Sequence, residues 1–93
     1  MKAVQKNPNS IKHYNVLGSF YIETDQLEKA LVQFKNAQTI SPENPQPFFL
    51  QGLTYLKLNQ SENAHKMFSK VLEFEPQNQL ALRYLKGLNS YKN

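Results

Sequence analysis

Residues 37–55, AQTISPENPQPFFLQGLTY, decide how this chain folds. The stretch sets an alanine ahead of a break centred on Pro42, then resumes a helical pattern that carries Gly52 among the rings of Phe48, Phe49 and Tyr55. Proline lacks an amide hydrogen and collides with the preceding turn, so Pro42 stops helical growth. Glycine costs roughly 1 kcal/mol in a helix interior. Its presence at Gly52 therefore asks for a steric reason, a close approach by another element.

That reason comes from the rest of the chain. Pro8, Pro42 and Pro76 stand at one constant interval, and Ala3, Ala37 and Val71 keep the same phase. So do Gly18 with Gly52, Tyr21 with Tyr55, Ala30 with Ala64 and Phe34 with Phe68. An interval shared by small, aromatic and proline positions in fixed order marks an internal repeat. Each unit reads as two helices. Tyr14, Leu17, Gly18 and Tyr21 share one 3.6-residue face, and after a turn near Asp25–Leu27 the residues Leu27, Ala30, Leu31, Phe34 and Ala37 share another. Phe48, Gly52 and Tyr55 precede a turn at LNQS, and Ala64, Met67, Phe68, Val71 and Leu72 follow it. Asn59 suits a left-handed backbone at the first helix's end, while Ser61 and Gln26 are the expected caps of the helices they precede.

These residues resemble the tetratricopeptide repeat. With Ile11 as the first position, Tyr14, Leu17, Gly18, Tyr21, Ala30, Phe34, Ala37 and Pro42 stand at all eight signature sites. With Pro45 first, Phe48, Gly52, Tyr55, Ala64, Phe68, Val71 and Pro76 do the same, and Gln51 departs from the family's leucine. In the remainder Leu82 and Leu85 fit, but Lys86 and Asn89 replace the small and aromatic residues, as in a terminal helix with a polar face. The resemblance implies an all-α fold of αα-hairpins in a superhelical solenoid. It divides the single repeat domain into the tail of a preceding unit over 1–10, repeats over 11–44 and 45–78, and a half repeat or capping helix over 79–93. Five main helices are expected, with a short helical remnant at the N-terminus.

The resemblance also implies a noncatalytic scaffold whose first helices line a concave groove for a partner peptide or helix. Carried over by position, the lining is Lys12, Asn15, Ser19, Ile22 and Glu23; then Gln46, Phe49, Leu53, Leu56 and Lys57; then Leu80, Arg83, Gly87, Ser90 and Tyr91. The expected binding set is Lys12, Asn15, Ser19, Phe49, Leu53, Leu56, Lys57 and Arg83, apolar in the middle and basic at its edges. Two other readings stay open for this face: cover by a second copy or a further unit, and no specific role. Family members that grip the carboxylate of chaperone tails do so with two lysines, two asparagines and an arginine. The matching positions here hold Asn15, Ser19, Leu50, Leu80 and Tyr84, so that clamp is not expected.

Composition narrows the remaining classes. The absence of Cys removes disulfides, thiolate metal sites and thiol nucleophiles. His13 and His65 start no metal-binding spacing, no serine sits in an elbow motif, and Gly18, Gly52 and Gly87 form no phosphate loop, so no catalytic residue, metal or cofactor is expected. The net charge of +4 mildly favours acidic partners. One arginine, Arg83, beside Tyr84 and Tyr91 makes no repeating base-reading pattern, so nucleic acid is not the expected partner. The sequence shows neither a signal segment nor a membrane span, and a cytoplasmic location is the default expectation.

Overall fold

The structure, a computed structural model, describes residues 10–92. Ala3, Pro8 and the expected N-terminal remnant lie outside the described residues, as do the side chains of Ser90 and Tyr91. Five helices and no strand occur among the described residues: α1 (Ser10–Glu23), α2 (Leu27–Ile40), α3 (Pro45–Lys57), α4 (Ser61–Phe74) and α5 (Gln79–Lys92). The fold is all-helical and built of hairpins. The most extensive contacts join α1 to α2 and α3 to α4, α2 bridges to α3 and α4 to α5, and α1 touches α3 lightly.

The turn inside each hairpin is the same device used twice. Asp25 and Asn59 both take a φ of 62°, in the left-handed region that short polar side chains tolerate best after glycine. Gln26 N–H then donates to Tyr21 O at 2.7 Å, and Gln60 N–H to Tyr55 O at 2.9 Å, satisfying carbonyls that the helix end would orphan. The expected capping side chains are corrected here. Ser61 is the first residue of α4, whose N-cap is Gln60, and neither Gln60 nor Gln26 makes a side-chain cap bond. Gln26 Nε2 instead donates to Thr24 Oγ1 at 2.9 Å, because a glutamine reaches past the amides a serine would hold. Side-chain capping falls to two asparagines at equivalent places in successive units. Asn44 Oδ1 accepts from Gln46 N–H at 2.9 Å at the start of α3, with Pro45 fixing the first φ, and Asn78 Oδ1 accepts from Ala81 N–H at 2.9 Å at the start of α5.

Packing within the hairpins turns on missing bulk. The Phe34 ring lies against Gly18 and the Phe68 ring against Gly52, where an added Cβ would meet ring Cζ at 2.7 Å in both cases. Both rings are fully buried, as are Ala30, Ala37, Ala64 and Val71. Phe48 joins Val71 and Ala81 in one cluster, and Ala64 joins Phe68 and Leu88 in another, so α5 closes both. Tyr84 stacks on Phe68 with centroids 4.9 Å apart and planes at 4°. Tyr14, Leu17, Tyr21 and Tyr55 are half-buried around these contacts, whereas Pro42 and Pro76 are exposed in the connections between units.

Candidate functional site

The helices that open each hairpin, α1 and α3, stand beside each other, and their exposed and half-buried residues line a depression of about 530 Å³. From α1 come Lys12, Asn15, Ser19 and Glu23, at spacings of three and four that keep them on one helix face. Ile11, Val16 and Phe20 flank this stripe, and α3 contributes Gln46 and Leu50. Gln46 also lines a second depression of about 360 Å³, where α3 begins, α4 ends and α5 starts. Phe49, Val71 and Leu80 form its apolar walls and Asn44, Glu75 and Asn78 its polar rim. Gln46 is thus the residue the two depressions share.

The structure places the eight expected groove residues unequally. Lys12, Asn15 and Ser19 come together in the larger depression, and Phe49 forms part of the smaller. Phe49, Leu53 and Leu56 are half-buried against the cluster of Ala64, Phe68 and Leu88. Phe49 meets Phe68 edge-on at 5.5 Å and Tyr84 at 5.9 Å. Part of the apolar area expected to face a partner is therefore taken up by packing inside the fold, against Ala64 and Phe68 of α4 and Tyr84 and Leu88 of α5. Lys57 and Arg83 are exposed and line neither depression.

Two features escaped the sequence reading. Val16 and Phe20 are 60% and 52% exposed, yet their equivalents in the next unit, Leu50 and Thr54, are half-buried and fully buried. The equivalents after those, Tyr84 and Leu88, are half-buried and buried. The repeat interval held the signal, since α3 packs on α2 and α5 on α4, where Tyr84 and Leu88 meet the Ala64–Phe68 cluster. The other is Asn15 Oδ1, a buried oxygen with no hydrogen-bond partner among the described residues.

No set of three metal-ligating side chains converges among the described residues. His13 lies edge-on to Tyr14 at 5.6 Å and His65 Nδ1 lies 3.5 Å from Ser69 Oγ, each within its own helix. No described helix is long and apolar enough to cross a membrane.

Comparison with known proteins bears on the same geometry. Family models described as tetratricopeptide repeat match residues 1–32 and residues 45–78. The bovine (Bos taurus) BBSome complex member BBS4 is 32% identical over 69 residues, 74% of this chain and 13% of that protein. The Cell division cycle protein 27 homolog of Caenorhabditis elegans is 30% identical over 81 residues, 87% of this chain and 10% of that protein. The chloroplastic tetratricopeptide repeat domain-containing protein PYG7 of Arabidopsis thaliana is 34% identical over 68 residues, 73% of this chain and 23% of that protein. The chain thus spans between about a tenth and a quarter of the length of these relatives. Among solved structures, the first such domain of Spaghetti (RPAP3), bound to the HSP90 peptide SRMEEVD, superposes with a TM-score of 0.56. It is 15% identical, with 96% of this chain and 98% of that chain covered.

Proposed function

From a chain that belongs to the tetratricopeptide repeat family, we infer a noncatalytic binding module that receives a peptide or helix of a partner protein across the α1–α3–α5 face. The observation that carries this reading is the pair of depressions on either side of Gln46, one between α1 and α3 and the other where α3, α4 and α5 meet. A neighbour of the same fold holds a peptide, and two relatives are named for a complex or for the cell division cycle, in keeping with a module that works by binding other proteins. The peptide class held by that neighbour is not carried over, because Asn15, Ser19, Leu50, Leu80 and Tyr84 lack the clamp's paired lysines and its arginine.

Binding draws on the exposed rim more than on the half-buried rings. Leu80 is 50% exposed at the smaller depression, and Ser19 is exposed at the larger. Peptides selected from a displayed library by the wild-type chain should lose about tenfold or more in affinity against Leu80→Glu and Ser19→Arg variants of unchanged helicity. Selected peptides that bind both variants as well as wild type would sink the groove reading.

The exposure of Val16 and Phe20 supports a second reading, in which a further helix, from another copy or a continuing array, covers α1 as α2 covers α3. Sedimentation at rising concentration discriminates. A dimer that disappears in a Val16→Lys, Phe20→Lys variant favours self-association, and a monomer at all concentrations removes the second copy and leaves the continuing array.

A further inference from the structure

Lys12, Asn15, Ser19 and Glu23 form a single stripe along α1, and from Lys12 to Glu23 the helix rises about 16 Å, the span of about five residues of extended chain. A cation stands at one end and an anion at the other. Both are exposed, and the ion pair found among the described residues lies elsewhere, between Lys70 and Glu73. The α1 macrodipole acts in the same sense, positive near Lys12 and negative near Glu23. Between them Asn15 has an oxygen with almost no accessible surface and no hydrogen-bond partner among the described residues, a costly state that rotation of the side chain toward an incoming N–H donor would relieve. Leu50 supplies an apolar wall from α3.

We propose that this stripe selects an extended peptide segment of zwitterionic pattern. An acidic residue sits over Lys12, an apolar residue rests against Leu50 while a nearby backbone N–H donates to Asn15 Oδ1, and a basic residue meets Glu23. The inference rests on the peptide-groove reading and adds the class of segment bound. Lys57, the equivalent of Glu23 in the next unit, does not line this depression. A polyanion such as nucleic acid gains at Lys12 and loses at Glu23, so the stripe disfavours it.

The test uses the whole 93-residue chain, labelled with ¹⁵N and titrated with three capped pentapeptides that share a central leucine. One begins with aspartate and ends with lysine, one carries aspartate at both ends and one lysine at both ends. The zwitterionic peptide should bind about threefold tighter than either of the others, the scale of an exposed charge pair. Lys12→Glu should move the preference to the lysine-ended peptide, and Glu23→Lys to the aspartate-ended one. Asn15→Leu should weaken all three about fivefold without lowering the thermal midpoint, because the unpartnered oxygen is gone. An order of affinities that neither charge reversal changes overturns the inference. Amide shifts confined to Phe49 and Leu80 in that case leave the wider groove reading standing, whereas no shift with any of the peptides counts against both.

Discussion

Gln51 Nε2 donates a 2.7 Å hydrogen bond to Gln38 Oε1, tying α3 to α2 across the junction between the two units. Gln51 is 2% exposed, so this glutamine, standing where the family places a leucine, is a buried polar group with a partner. Buried amides left unpaired are costly, and the bond both stabilises the junction and fixes its register. A double-mutant cycle with Gln51→Ala and Gln38→Ala should show a coupling of about 1 kcal/mol by chemical denaturation. Additive losses would mean that the two side chains do not interact in solution.

Gly52 and Gly87 should respond in opposite directions to alanine. Helix propensity alone favours both changes by about 1 kcal/mol. At Gly52 the new Cβ would press on the Phe68 ring at 2.7 Å, and that ring is also stacked against Tyr84. The clash outweighs propensity, and Gly52→Ala should destabilise by about 1–3 kcal/mol. Nothing lies within 4 Å of a Cβ at Gly87, so Gly87→Ala should stabilise by about 0.5–1 kcal/mol. Equal midpoints for the two variants would contradict this packing.

The left-handed turns offer a second contrast. Asp25 and Asn59 both carry a φ of 62°. Replacement by glycine should be neutral or mildly stabilising at either site, and replacement by valine should cost about 1–2 kcal/mol. A valine variant at either position that melts at the wild-type temperature would show that the turn has another backbone.

The stack of Tyr84 on Phe68, with Phe49 at its edge, is the main aromatic attachment of α5 to the preceding hairpin. Tyr84→Ala should cost about 2–4 kcal/mol and expose the α5 amides to hydrogen exchange before those of α1 and α2. Uniform loss of protection along all five helices would show instead that the chain opens as one unit.

Small residues at the crossings set a limit on size. Ala30 and Ala64 have no exposed surface, and leucine at either should overpack its hairpin by about 1–3 kcal/mol. Unchanged unfolding of both variants would remove these alanines from the crossings.

The hairpin architecture was legible because local chemistry repeats at one interval. Gly18 and Gly52, Phe34 and Phe68, and the turns at Asp25 and Asn59 each answer a local steric demand that recurs in the following unit. The family likeness needed nothing more. The candidate site was only partly legible. Position within a repeat brought Lys12, Asn15 and Ser19 to one surface, but the same rule assigned Phe49, Leu53 and Leu56 to a partner without saying how much of them the core cluster of Ala64, Phe68 and Leu88 would take up.

Sequence alone determined the five helices, their pairing and the small residues on which paired helices meet, since those follow from periodicity and side-chain volume. Tertiary structure decided the rest: that Gln51 finds Gln38, that Tyr84 stacks on the Phe68 ring, and that Asn15 keeps an oxygen without a donor among the described residues. The physical reason is that each outcome depends on the distance and angle between different helices. A repeat interval determines which residues share a face, while only the assembled packing determines which of those faces are left open.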